Sequence, residues 1–126
     1  MNILHLTLKK KWFDMVASGE KKEEYREIKP YWETRFRLYR GQLLPKSRWE
    51  NFWKDTYSLD IESRLSYSNF DAIEFKNGYS KDAPKMIVEF EGIEIGKAKS
   101  EWSDNWQGEV FIIKLGEIIT KPQNFK

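Results

Sequence analysis

The chain has 126 residues and a formal net charge of +2, enough for one domain with its own core and no large surplus charge. It has no cysteine and a single histidine, His5, which excludes disulfides, thiolate catalysis, Cys-type zinc sites and multi-histidine metal centres; carboxylate-only metal binding stays open but has no loop signature, and no cofactor is expected. With 33% charged and 16% aromatic residues it carries both a solvated surface and the material of a core, which excludes a disordered chain.

Residues 2–8 alternate as a strand, with Leu4, Leu6 and Leu8 on one face. Lys9 to Ser18 switches to helical spacing: Trp12, Met15 and Val16 fall at i, i+3 and i+4, and Gly19 stands where a C-terminal cap belongs. Residues 21–28 read as a second strand. Lys29-Pro30 then marks a boundary that opens a short helix over Tyr31 to Leu38, because proline suits a first helical turn and restricts the residue before it. Residues 40–70 are the least regular part and read as an insertion. Capping-box spacing at Ser47-Arg48-Trp49-Glu50 starts a helix there, with Trp49, Phe52 and Trp53 as an aromatic stripe suited to packing, or to a partner surface. Ser66 to Asp71 reads as loop.

Strands return with Ala72 to Lys76, followed by the turn signal Asn77-Gly78. Lys85 to Glu91 and Ile93 to Lys99 are alternating segments split by Gly92; Glu109 to Leu115 and Glu117 to Thr120 are split by Gly116. Glycine inside a strand pattern marks a bulge or a sharp bend. The expected fold is α+β: five or six strands in a bent sheet that closes into a small barrel, with two or three helices placed early. No apolar run approaches the roughly 20 residues of a membrane span and no secretory signal precedes the first strand, so a cytoplasmic protein without membrane contact is expected, monomeric by default.

Gly19-Glu20-Lys21-Lys22-Glu23-Glu24-Tyr25-Arg26 is the densest chemistry in the chain. Period two puts Glu24 and Arg26 on one face of the strand and Tyr25 with Glu23 on the other; the Gly19 turn leaves the direction of Lys21 open. An ion pair between Glu24 and Arg26 fixes the guanidinium plane for a phosphate or a base, and a nearby lysine adds a point charge. The same residues also read as a salt-bridge ladder on a solvated strand, worth little. Residues 1–48 hold 12 Lys+Arg against 6 Asp+Glu, and residues 49–126 hold 10 against 14. This asymmetry suits either a local anionic partner or charges that pair across the fold. Trp12, Tyr25, Tyr31, Trp32, Tyr79, Trp102 and Trp106 lie among the basic residues, and aromatics beside a cationic groove hold single-stranded nucleic acid by stacking; one or two of them are expected at a binding surface and the rest in the core. Asn77-Gly78-Tyr79 can present an amide and a ring together on one turn.

Gly19-x-Lys21-x-x-Glu24-x-Arg26, after a helix and opening a strand, resembles the signature of the ASCH family. Leu4 to Leu8, Trp12-Phe13, Lys29-Pro30-Tyr31-Trp32 and the closing run Phe111 to Gly116 are similar to that family as well. The resemblance implies a small β-barrel related to the PUA domain, with a cleft between barrel and early helix lined by Lys21, Glu24 and Arg26. It implies RNA as the favoured partner. Some members are instead amidohydrolases that remove the acyl group from N4-acylated cytidine nucleosides, using the motif lysine, a threonine three residues later and a distant glutamate. This chain has Glu24 at the threonine position, and Glu74 and Glu89 are the candidates for the distant carboxylate.

Three functions follow as expectations. The first is binding of RNA or a nucleotide-like ligand by Lys21, Glu24 and Arg26, with Trp12, Asn77 and Tyr79 as further contacts. The second is hydrolysis of a modified nucleoside with Lys21 as base and Glu24 as acid. The third is a protein-interaction module using residues 40–70.

Overall fold

A computed structural model describes residues 2–39, 43, 65–104 and 106–122. Strand β1 (Ile3–Leu8) buries Leu4, Leu6 and Leu8 as the alternation predicts and turns His5 outward. Helix α1 (Lys10–Ala17) buries Trp12, Phe13, Val16 and Ala17. It stops at Gly19, whose φ of +85° lies in the left-handed region that glycine enters without a Cβ penalty. Gly19 N–H donates to Val16 C=O and Lys21 N–H to Met15 C=O, both at 3.0 Å, so the turn satisfies the last helical carbonyls and delivers the chain straight into β2.

Strand β2 (Glu23–Arg26) is shorter than the predicted 21–28, because Lys21 is still tied to the helix and Lys29-Pro30 already opens α2 (Pro30–Phe36). Helix α2 ends before the predicted Leu38. Arg37 adopts extended backbone and starts β3 (Arg37–Tyr39), which pairs antiparallel with β4 (Leu65–Tyr67). Ser66 and Tyr67, read as loop, are therefore strand. The helix expected from Ser47, the stripe Trp49, Phe52 and Trp53, and most of the insertion lie outside the described residues.

The bends predicted at Gly92 and Gly116 fall inside two continuous long strands, β6 (Lys85–Gly96) and β7 (Val110–Thr120). Gly92 has φ +121°, and register shifts between Ile87 and Ile93 absorb the curvature. Asn77-Gly78 ends β5 (Ala72–Asn77) with Gly78 at φ +86°, but the connection to β6 runs through residues 78–84 and is not a two-residue hairpin. Asn77 N–H closes it onto Pro84 C=O at 2.9 Å.

The five-stranded sheet has the order β1-β5-β6-β7-β2, with β1 parallel to β5 and the other pairs antiparallel. It curls into a half-barrel of the α+β class, as expected, and with the small β3–β4 ladder the described residues form seven strands. Leu4, Leu6, Phe13, Phe36, Ile73, Phe75, Met86, Phe111 and Ile113 are among the residues that fill the concave side. Strands β1 and β2 are the sheet's two edges. No helix among the described residues is long and apolar enough to cross a membrane.

Candidate ligand cleft

The direction of each charged side chain on β2 follows from its pairing with β7. Residues opposite one another in an antiparallel pair project from the same face. Glu24 stands opposite Ile113 and Arg26 opposite Phe111, both core residues, so Glu24 and Arg26 project into the concave side. Glu23 and Tyr25 stand opposite Lys114 and Ile112 and project from the convex side.

On the concave side the charges alternate in sign. Glu24 Oε1 lies 3.3 Å from Lys21 Nζ and accepts Tyr25 N–H at 2.9 Å; its Oε2 lies 2.9 Å from Arg26 Nη1. Arg26 also donates from Nη1 to Tyr25 C=O at 2.7 Å and from Nη2 to Thr7 C=O at 3.2 Å. Its Cζ lies 5.3 Å from the ring centre of Trp32, which stacks on Phe36 in the core. The guanidinium is thus held in one plane by a carboxylate, two carbonyls and a ring, as the spacing predicts for the Glu24–Arg26 pair.

Lys21 is 1% exposed. Its ammonium donates to Trp102 C=O at 2.5 Å and sits 4.8 Å from the ring centre of Tyr25 and 5.1 Å from that of Trp12. Burial lowers its pKa from the ordinary lysine value, against the opposing pull of Glu24. The salt-bridge ladder on a solvated strand is therefore not what forms; these groups are inside.

The space above this network is a cleft of about 570 Å3, within the size range of small-molecule sites. One wall is β1, from His5 to Lys9. The opposite wall is Glu24, Tyr25 and Arg26 of β2. Lys29, Tyr31 and Trp32 come from the start of α2, and Trp12 from α1. Trp102, Ser103, Asp104 and Trp106 come from the connection between β6 and β7, and Tyr79 from that between β5 and β6. A turn of 3-10 helix at Ser100–Trp102 shapes the β6–β7 connection, and Lys99 Nζ lies 4.5 Å over the Trp102 ring.

Of the residues singled out from sequence, Glu24 and Arg26 line the cleft, and so do all seven aromatics, Trp12, Tyr25, Tyr31, Trp32, Tyr79, Trp102 and Trp106, rather than the one or two expected, because the β1–β2 seam and the β6–β7 connection converge there; Tyr79 is 90% exposed at its rim. Lys21 lies behind the wall, bonded to it through Glu24 and Trp102. Asn77 ends β5 away from the lining. Of the carboxylates considered as a distant partner, Glu74 is bonded to His5 Nδ1 at 3.1 Å and Glu89 accepts Glu117 N–H at 3.2 Å; neither lines the cleft. Sequence reading missed His5, Thr7, Lys9 and Lys29 as lining residues. The signal was present at His5 and Thr7, the polar positions that alternate with the leucines of β1. The N-terminal excess of basic residues reaches the cleft as Lys9, Arg26 and Lys29, with Asp104 4.0 Å from Lys9.

On the convex side of β2, Tyr25 Oη donates to Glu23 Oε1 at 2.8 Å and accepts Lys99 N–H at 3.2 Å. Lys114 Nζ reaches Glu23 at 2.6 Å and Glu94 at 3.0 Å. No cluster of three or more potential metal ligands occurs among the described residues. Compared with known protein families, with curated proteins and with solved structures, the chain finds no match.

Proposed function

We propose that the cleft binds RNA or a nucleotide-like ligand. The observation that carries this reading is the combination of a fixed guanidinium and aromatic walls. Arg26 lines the cleft with its plane set, and Trp12, Tyr31, Trp32, Tyr79, Trp102 and Trp106 line the same cleft. Aromatic faces hold bases by stacking at about 1–3 kcal/mol each, and a planar cation takes a phosphate or stacks in turn. Lys9 and Lys29 at the same cleft supply charge for the backbone. The resemblance of Gly19 to Arg26 to the ASCH signature points the same way.

The test is a fluorescence titration with short single-stranded RNA at low and moderate salt, using the tryptophans that line the cleft as reporters. Binding should weaken as salt rises and should fall by about tenfold or more in Arg26→Ala. Affinity that ignores both salt and Arg26→Ala would overturn the reading.

A second reading, hydrolysis of an N4-acylated cytidine, draws support from the lowered pKa of Lys21 beside Glu24, the condition a lysine base needs. Against it, the Lys21 ammonium is turned to the Trp102 carbonyl rather than to the cleft, and Glu24 replaces the hydroxyl that the resemblance calls for. Purified protein that leaves a panel of acylated cytidines intact would remove this reading. The interaction-module expectation rests on residues 40–70, most of which lie outside the described residues.

A further inference from the structure

The half-barrel leaves a seam between its two edge strands, and the cleft lies along it. Those two edges are finished differently. On β2, Lys22 C=O accepts Leu115 N–H of β7, so the backbone groups of even-numbered residues face the sheet and those of Tyr25 face the seam. Both Tyr25 groups are occupied: its N–H by Glu24 Oε1 and its C=O by Arg26 Nη1. On β1, Leu8 C=O accepts Gly78 N–H just beyond β5, so the even-numbered residues again face the sheet. The N–H and C=O of a strand residue point the same way and alternate from one residue to the next, which turns the groups of His5 and Thr7 into the seam. Thr7 C=O accepts Arg26 Nη2, and this confirms the direction. His5 N–H, His5 C=O and Thr7 N–H have no partner among the described residues.

That edge is also a cleft surface. All the residues from His5 to Lys9 line the cavity, yet the side chains of Leu6 and Leu8 are buried in the core. Lining by consecutive strand residues, two of which point their side chains away, is lining by backbone. Backbone polar groups have strong unmet hydrogen-bonding capacity wherever nothing covers them.

Resting on the nucleotide reading above, we infer that the seam-facing backbone of β1 recognises the base: His5 C=O and Thr7 N–H pair with the donor and acceptor on its Watson–Crick edge. A strand edge offers alternating acceptor and donor, and that edge of a base offers the complement. The aromatic walls supply the faces for stacking, and Arg26, anchored to Thr7 C=O, stands next to the reading pair. The site thus takes an unpaired base, because a base in a duplex has that edge already engaged.

The experiment compares a short oligouridine with the same oligomer built from N3-methyluridine, and an oligoadenosine with its N6,N6-dimethyl counterpart, on wild-type protein. Methylation keeps the ring face and the phosphates and blocks only the edge. Loss of about tenfold or more in affinity on methylation supports the inference. Methylated oligomers that bind as tightly as the plain ones overturn it and leave the nucleotide reading standing. Failure of every oligomer to bind overturns both. Thr7→Pro deletes the N–H on the seam side of an edge strand, where proline is tolerated. It should bind plain oligomers more weakly than Thr7→Val, which keeps the N–H. Equal affinity of the two variants overturns the Thr7 contact, and if Thr7→Pro fails to fold, the methylated oligomers still decide.

Discussion

The two faces of β2 carry ionisable side chains in every position of a four-residue strand, and they treat a lysine in opposite ways. On the concave side Lys21 is 1% exposed, and burial lowers its pKa although Glu24 lies 3.3 Å away. On the convex side the Lys114 side chain is 38% exposed, and the hydrogen bonds it donates to Glu23 and Glu94 raise its pKa. Both lysines have carboxylate partners; what differs is the water that remains. Desolvation outweighs pairing where water is excluded, and pairing outweighs desolvation where it is not. The concave network is therefore a strict arrangement, in which each charge depends on the others, and the convex one, whose buried Glu23 and Tyr25 meet a partly solvated Lys114, is more permissive.

The largest effect is expected at Glu24, which stands between two cations. Glu24→Ala leaves Lys21 and Arg26 inside without their shared counter-charge and should cost about 3–5 kcal/mol, read by chemical denaturation. A loss below about 1 kcal/mol would place the network on a par with a surface pair and erase the contrast.

Lys21→Met should cost less, about 2 kcal/mol or below, because an apolar chain of similar length refills the space between Trp12 and Tyr25 and Glu24 keeps Arg26. Its sharper consequence is local. The bond from Lys21 Nζ to Trp102 C=O ties the β6–β7 connection to the buried network, so amide exchange around residues 99–104 should quicken in this variant. Unchanged exchange there would show that the connection is held by its other contacts.

The smallest effect belongs to the convex side. Glu23→Gln should cost about 1 kcal/mol at neutral pH, since Lys114 is well solvated. Burial alone would raise the pKa of Glu23, but hydrogen bonds from Lys114 and Tyr25 overcome it and hold the carboxyl below its ordinary value of 4.5. A group with a depressed folded pKa stabilises above its unfolded value and loses that contribution as pH falls through the folded one. The stability gap between wild type and Glu23→Gln should thus be constant near neutrality and close on acidification below about pH 4.5. A gap that persists at pH 3 would assign the effect to packing rather than charge.

Much of the local structure was legible in the chain. Leu4, Leu6 and Leu8 announce β1, and Trp12, Val16 and Gly19 announce α1 and its end, because periods of 2 and 3.6 are set by backbone geometry. Period two also placed Glu24 and Arg26 together and Tyr25 with Glu23, as their hydrogen bonds have it. The glycines of the long strands mark bends, as their place inside an alternating pattern predicts. Gly92 and Gly116 split the pattern in the sequence, and in the structure each lies inside one long strand at a register shift of the β6–β7 pair, for reasons the local pattern does not show. At Gly116 the reason is closeness: a Cβ there would lie 2.9 Å from Glu91 Oε1 and 3.0 Å from Glu89 Cβ. Neither contact can be seen from the residues around Gly116 alone.

The candidate site divides along the same line. The order of residues by itself determined which charges share a face of β2, that a glycine turn ends α1 just before Lys21, and that the leucines of β1 look inward, since all of these are relations between near neighbours. Tertiary structure decided that this face is the inside of a half-barrel and that Lys21 lies behind the wall instead of on it. It also made β1 an edge, with His5 and Thr7 open to the seam. Those outcomes depend on β1 pairing with Ala72 to Asn77 and β2 with Phe111 to Lys114, contacts between distant parts of the chain. Burial and edge position are properties of the whole sheet, and no local pattern encodes them.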